Sequence, residues 1–172
     1  MPVPIDEILK FHESRTKRHI AAVNYFAGLL GCHFPKHDYD KFIDPIRVGY
    51  AYYNYARYHD GCKISKQYQD AFTKSHDEHH STQPHHLEHY KTVQEIPNNI
   101  LIEMVCDWAS ANFEQTNISQ ENDFESVMGY FNECISSLNW TDSQREFIIK
   151  TIQQIEQTCD ERELYAIWDG LI

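Results

Sequence analysis

Apolar residues recur every three or four positions along most of the chain, which is the spacing of one face of an α-helix. The first run begins after Pro4 and ends at Gly31, residue types that favour the start and the end of a helix. The same spacing predicts helices over about 5–30, 36–42, 45–59, 64–80, 98–114, 124–138, 142–158 and 160–169. We therefore expect an all-α bundle of about six to eight helices.

The length and the composition favour one helical domain. The chain has 172 residues, enough for an ordinary core, and its six glycines and six prolines are few for a turn-rich β protein. We expect a single domain over 1–172, with a core over 5–115 and a C-terminal helical scaffold over 120–172. The five cysteines are isolated and form no CxxC motif, which is typical of reduced core thiols.

The net charge limits the classes of partner. The formal charge is −11, from 15 basic and 26 acidic side chains. Because nucleic-acid binders normally carry a basic surface, we do not expect general nucleic-acid binding. No apolar run approaches the ~20 residues of a membrane span, and the first residues do not resemble a secretory signal. We expect a cytoplasmic protein without a membrane partner; the sequence leaves the oligomeric state open, with a homodimer as one assembly.

Three His-Asp pairs occur, and the first has the neighbours of a metal and anion site. His37-Asp38 offers an imidazole nitrogen and a carboxylate oxygen, which suit a divalent metal ion, and Lys41 follows one turn later. A cation beside a metal suits an anionic substrate, phosphate above all. His59-Asp60-Gly61 instead predicts a helix end and a turn, and His76-Asp77 leads into a His-rich stretch.

The His-rich stretch predicts several converging imidazoles. Six of the eleven histidines lie within residues 76–89. We expect Pro84 to end the preceding helix and to fold His85-His86 back beside His80. A solvated His-rich loop is the alternative interpretation.

Two further helices carry polar residues on an inward face. His19 lies within an apolar stripe of the first helix, where a hydrogen-bonded core histidine is the alternative to a ligand. Glu103 and Asp107 are four residues apart, so both carboxylates can face one ion or one cluster of histidines. An inward Asp on an apolar helix needs a polar partner.

The order of these residues, H … HD-x-x-K … H … HH … D on consecutive helices, resembles the HD-domain metal-dependent phosphohydrolase superfamily. The chain is most similar to an uncharacterised HD-like family of bacterial and phage proteins, over about residues 15–110. The segments that match its motifs are His19-Ile20 with Val23, His37-Asp38 with Lys41-Phe42, His80 with Gln83-Pro84-His85-His86, and Glu103-Met104 with Asp107-Trp108.

The chain departs from the family patterns at three points. Asp40 stands where Ser or Gly is usual, which puts a second carboxylate near the site. Gln83 replaces the Asn of the motif that precedes the two histidines. The GYP tripeptide is absent, so the cyclic-dinucleotide specificity of the HD-GYP phosphodiesterases does not carry over.

The resemblance implies an HD-domain-like fold that holds one or two divalent metal ions, with Mn, Fe, Zn, Ni and Mg not distinguished. It implies a first ion held by His19, His37, Asp38 and Asp107, and a second held by His80 and either His85 or His86. It further implies that a metal-activated water attacks phosphorus, with Asp38 and Lys41 catalytic. Glu103 would orient a ligand histidine, and Lys41 and Arg15 would contact the phosphate, with a surface Arg as the alternative for Arg15.

Three functional hypotheses follow. The first is a metal-dependent phosphohydrolase or phosphodiesterase acting on a nucleotide-like or other small phosphorylated molecule. The second is an HD-type di-iron oxygenase, which uses a similar set of His and Asp ligands. The third is a non-catalytic binding module in which the metal holds the His-rich segments together.

Overall fold

The computed structural model describes residues 3–58, 64–121 and 124–170. Within these ranges the chain is helical and contains no strand, which confirms the all-α prediction. The α-helices are α1 Ile5–Leu29, α2 Ile46–Tyr58, α3 Lys66–Thr82, α4 Asn98–Phe113, α5 Val127–Tyr130, α6 Asp142–Thr158 and α7 Glu161–Trp168. The turn predicted at His59-Asp60-Gly61 lies outside the described residues.

Shorter helical turns connect these elements. Three 3₁₀ turns span Tyr39–Phe42, Leu87–His89 and Val93–Glu95, and α4 and α5 continue into π-helical turns over Glu114–Ile118 and Phe131–Ile135. The helix predicted over 124–138 is therefore a short α-helix followed by a wider turn. None of the helices in the described ranges combines the length and the apolarity that crossing a bilayer requires.

Helix α1 is the central element, and its ends follow from its sequence. Its inward face carries small and apolar residues such as Ala22, Val23 and Phe26, which are buried. The helix stops because Gly31 adopts a left-handed conformation with φ +70°, and the Cys32 amide then donates back to a carbonyl of the last turn at 2.8 Å. This end places the next segment beside the middle of α1.

The main apolar core lies between α1, α4, α6 and α7. Leu101, Met104, Ile148 and Ile152 are fully buried in it. A capping box at Thr141 starts α6. The Thr141 hydroxyl accepts from the Gln144 amide, and the Gln144 side chain accepts from the Thr141 amide. The C-terminal helices thus complete the core on which the N-terminal part rests.

Helices α2 and α3 form a second layer on α1. They approach closely because Gly49 has no side chain; a Cβ there would overlap the Ser75 hydroxyl of α3. A small apolar cluster centred on Ile8, Ala51 and Tyr55 packs α2 on α1, and aromatic rings such as those of Tyr53 and Phe72 join α2 to α3. The polar site lies in the interior between the two layers.

Candidate metal centre

Five segments bring polar side chains to one buried place. The carboxylate of Asp38 lies at the centre, and this residue is 1% exposed. Helix α1, the turn before the first 3₁₀ segment, α3, the loop after Pro84, and α4 supply the surrounding residues, which are His19, His37, His79, His85, His86, Glu103 and Asp107.

One group of donor atoms surrounds the Oδ2 atom of Asp38. His19 Nε2 lies 3.0 Å from Asp107 Oδ1, 3.3 Å from His37 Nε2 and 3.4 Å from Asp38 Oδ2. Ligands at about 2.1 Å from an ion in octahedral or tetrahedral geometry are about 3.0 to 3.4 Å apart. The first group therefore has the spacing of a metal site.

A second group surrounds the other oxygen of the same carboxylate. Asp38 Oδ1 lies 3.2 Å from His79 Nε2 and 3.2 Å from His85 Nε2. The Nε2 atoms of His79 and His86 are 2.9 Å apart. All of these donor atoms lie within 4.8 Å of one another. Asp38 thus presents one oxygen to each group, as a bridging ligand of two ions does.

Several donor atoms in this site are buried without a hydrogen-bond partner. Asp38 Oδ1 and His85 Nε2 are among them in the described part of the chain, because the 3.2 Å contact between them lacks the angles of a hydrogen bond. Buried polar atoms are almost always satisfied, and leaving one unsatisfied costs about 1–3 kcal/mol. A cation between these atoms would satisfy both, so the donors present fit a divalent metal ion.

Carboxylates behind the donor nitrogens fix the orientation of two imidazoles, those of His37 and His79. The Nδ1 atom of His37 lies 2.9 Å from Glu103 Oε1, and that of His79 lies 2.8 Å from Asp40 Oδ2. An Nδ1–H that donates outward to a carboxylate leaves the Nε2 lone pair facing inward. Asp40 therefore does for His79 what Glu103 does for His37.

His19 is oriented by a hydroxyl rather than a carboxylate. Ser110 Oγ donates to the His19 carbonyl oxygen at 3.3 Å and lies 2.9 Å from His19 Nδ1. Because the hydroxyl hydrogen is used on the carbonyl, the hydroxyl oxygen accepts from Nδ1–H. The Nε2 lone pair of His19 again points at the centre.

The electrostatics of the site hold its carboxylates ionised. Burial works against the charged form of Asp38, but Lys41 and His37 hold its pKa well below the usual range. Burial also opposes a charged His37, yet Asp38, Asp107 and Glu103 together raise its pKa to about 10. A metal ion would bring the positive charge that this proton otherwise supplies.

The structure places His80 away from Asp38, in a further group of potential metal donors with His86 and Glu88. Its Nδ1 lies 3.1 Å from Glu88 Oε1, and its ring stacks on those of His76 and His86 at 3.8 Å. His79 takes the place predicted for His80 as a donor toward Asp38. Neighbouring helical residues point about 100° apart, so only one of the pair can face the site.

Sequence patterning contained a signal for His79 but none for its partner carboxylate. The inward face of α3 includes Ser75, and His79 follows four residues later; both are buried. Ser110 and Asp40 gave no local signal, because each acts on a histidine distant in the sequence. The remaining predicted residues, His19, His37, Asp38, His85, His86, Glu103 and Asp107, lie together in the structure.

A cavity of about 220 Å³ opens beside the site. Lys41 lines it, with Nζ 2.8 Å from Asp38 Oδ2 and 5.0 Å from the centre of the Tyr50 ring. Arg15 also lines it, but its Nε donates to the buried Glu114 at 2.6 Å. Lys41 and Arg15, the two residues predicted to contact an anion, therefore both line the cavity, and Arg15 already forms an ion pair with Glu114.

His12 is a buried neighbour of the site that sequence reasoning left unassigned. Its ring is 1% exposed, and Nε2 lies 2.9 Å from the Lys41 carbonyl oxygen. Burial, together with the nearby Lys41 charge, lowers its pKa to about 4, so the ring is neutral at pH 7 and Nε2–H donates to that carbonyl. His12 thus fastens the segment that carries Asp38 and Lys41 to α1.

Comparison with known proteins gives a family and no function. No curated protein matches the chain, and no solved structure matches it. The profile of a family described as of unknown function, DUF5662, matches residues 9–161. The matched range contains every residue of the two donor groups. The chain therefore belongs to the family DUF5662.

Proposed function

We propose that the protein is a metal-dependent phosphohydrolase or phosphodiesterase that acts on a nucleotide-like or other small phosphorylated molecule. One observation carries this proposal: a buried carboxylate, Asp38, presents its two oxygens to two groups of His and Asp donors, and Lys41 stands between it and a cavity. The order of these residues, which resembles that of HD-domain phosphohydrolases, supports the same reaction.

The donor set suits one or two divalent ions. The two groups that share Asp38 consist of imidazole nitrogens and carboxylate oxygens. Such donors suit Zn, Fe, Mn or Ni, and carboxylate-rich positions also accept Mg. When bound, the ions would polarise a phosphoryl oxygen and lower the pKa of a coordinated water.

The cavity residues would bind and orient the phosphorylated molecule. Lys41 would neutralise negative charge that grows on the phosphoryl oxygens. Arg15 would add a second positive charge, which Glu114 partly neutralises. The rings of Tyr53 and Phe72 stack with centroids 3.9 Å apart and line the same cavity, offering an apolar wall to a planar base.

Turnover of a generic phosphodiester tests the proposal. The metal-loaded protein is assayed with bis-(p-nitrophenyl) phosphate and a panel of nucleotides, with Mn²⁺, Zn²⁺ or Fe²⁺ supplied in turn. We expect turnover that Asp38→Ala abolishes and Lys41→Ala lowers by about 100-fold or more. Asp77→Ala is the matched control, because Asp77 belongs to another His-Asp pair and its side chain is 74% exposed.

The alternative hypotheses give different results in the same experiments. If Asp38→Ala keeps full turnover, the proposed site is wrong. Dioxygen uptake by the iron-loaded protein, without phosphate release from any substrate, would favour the oxygenase. Tight metal binding with neither reaction would favour the non-catalytic module.

A further inference from the structure

A second cavity lies on the other side of the wall formed by Arg15, Tyr58 and Glu114. It has a volume of about 450 Å³ and lies between α1, the end of α2, the turn after α4, and α7. Those three residues are the ones that line both this cavity and the one beside the metal centre. We call this second cavity the α1–α7 groove.

The α1–α7 groove carries positive charge that the described part of the chain does not neutralise. Lys10 and Arg18 line it on one face of α1, and neither forms an ion pair within the described ranges. The two carboxylates of the groove are hydrogen-bonded, Glu7 by Tyr55 Oη at 2.8 Å and Glu114 by Arg15. Three basic residues (Lys10, Arg15 and Arg18) against these two carboxylates leave the groove lining with a formal charge of +1. In a chain of formal charge −11, such a place attracts anions.

Two buried polar atoms of the groove residues also lack partners. Trp168 lines the groove and is 5% exposed, and its Nε1 has no hydrogen-bond acceptor in the described part of the chain. Ser119 lines it too, and its buried Oγ is likewise without a partner there. An indole N–H can only donate, and a hydroxyl can donate, so both atoms can bond an acceptor. An acceptor that reached either atom from the groove would satisfy it.

The remaining surface of the groove is apolar and aromatic. Phe11 and Tyr55 line it with their rings edge to face, 5.6 Å between centroids. Its volume lies within the range of pockets that bind small organic molecules, about 300–1,000 Å³. The groove therefore combines cations and free donors with a surface for a flat apolar body.

We propose that the α1–α7 groove is a binding site for a small organic anion, in which an acidic group (phosphate, sulfonate or carboxylate) is joined to a planar apolar body. Lys10 and Arg18 bind the acidic group, and the aromatic residues bind the apolar body. The site is distinct from the metal centre, and its existence does not depend on the proposed hydrolase activity.

Calorimetric titration of the metal-loaded full chain with naphthalene-1-sulfonate tests the proposal. We expect saturable binding, and we expect the double variant Lys10→Ala/Arg18→Ala to raise Kd by about tenfold or more, because charge-assisted hydrogen bonds to the sulfonate are lost. Lys17→Ala is the matched control, since it removes one positive charge from an exposed position of the same helix. Lys41→Ala, in the metal-side cavity, is also expected to leave Kd unchanged.

A variant of Ser119 separates a binding role from a merely structural one. Ser119→Ala removes the unpartnered hydroxyl and little volume, so it should raise Kd severalfold while helicity and the melting temperature stay as in the parent protein. Absence of saturable binding at millimolar probe overturns the proposal. It is also overturned if the double variant binds as the parent does, or if Lys41→Ala abolishes binding.

Discussion

Replacing Asp38 by Asn is the sharpest perturbation of the proposed centre. The substitution keeps the size of the side chain and exchanges one carboxylate oxygen for an NH₂ group. The backbone at Asp38 has φ +56°, a left-handed conformation that Asn tolerates as well as Asp. The change therefore acts on the chemistry of the site and leaves the local backbone unstrained relative to the parent.

The geometry sets the size of the expected effect. Asp38 supplies one oxygen to each donor group, and Asp107 supplies the other carboxylate oxygen that faces the first group. In the variant, the amide oxygen can face only one group, and its NH₂ would hydrogen-bond to an imidazole nitrogen of the other. We expect binding of at most one ion per chain, with Kd raised by about 100-fold or more, or about 2.8 kcal/mol.

Metal content after dialysis against buffered free Mn²⁺ or Zn²⁺ measures this effect, with helicity recorded by circular dichroism. Asp77→Asn is the matched control, because it makes the same change in an exposed His-Asp pair. Asp107→Asn adds a second test, since Asp107 reaches only the first group and its loss should spare the second ion. If Asp38→Asn binds the parent number of ions with the parent affinity, the bridging role is wrong.

Three further substitutions, two of them paired with a control, probe the site and the packing of α2 on α3. His79→Gln should weaken metal binding by about 100-fold, because His79 faces Asp38. His80→Gln, its control, should change metal binding less than about threefold. Competition with a chelator measures both affinities, and the opposite order would contradict the geometry. Asp40→Asn should raise the Kd for the metal ion about 10- to 100-fold, because His79 Nδ1 loses the carboxylate that orients it. An unchanged Kd would show that Asp40 does not orient His79. Gly49→Ala should destabilise by roughly 1–3 kcal/mol in urea unfolding, because the new Cβ overlaps α3. Gly28→Ala, with open space around its Cβ, should leave stability unchanged or raise it. Equal effects of Gly49→Ala and Gly28→Ala would refute the close approach of α2 and α3.

The helices could be predicted because each buries a regular apolar stripe between local stop signals. Pro4 and Gly31 bracket the first run, and the observed helix is Ile5–Leu29. The end of α3 was harder to place, because its polar sequence continues in helical form to Thr82. The helix expected after residue 124 contains a π-helical turn, Phe131–Ile135, that no side-chain period distinguishes from an α-helix.

The site could be predicted as a set of residue types but not as a set of contacts. The motif order brought Asp38 and Asp107 into the prediction although they are far apart in the sequence. Patterning gave only one signal for His79 over His80, its spacing of four residues from Ser75, because α3 has few apolar residues to mark its inner face. The partner of Asp40 could not be predicted for a similar reason: whether its carboxylate meets a histidine or solvent depends on how α3 packs on the turn that carries it.

The two layers of the fold rest on different kinds of interaction, and this has a consequence for metal removal. Helices α4 and α6 bury apolar residues in the main core, whereas the fully buried residues of α3 are Ser75 and His79. Helix α3 contacts α2 through the rings of Phe72 and Tyr68 and through the close approach at Gly49, and its other buried contacts are those of His79 in the polar site. A ligand present at 100 times its Kd stabilises the state that binds it by about 2.7 kcal/mol, and this stabilisation is lost when the ligand is removed.

Dialysis against a chelator should therefore loosen α3 and the loop that carries His85-His86 before it affects the core. Amide hydrogen exchange should speed up about 100-fold at the slow-exchanging amides of residues 66–90, while the amides of α4 and α6 keep their protection. His79→Gln should produce the same local increase without chelator, and His80→Gln, as its control, should not. A uniform loss of protection across all helices, or none in α3, would show that the centre does not hold this layer in place.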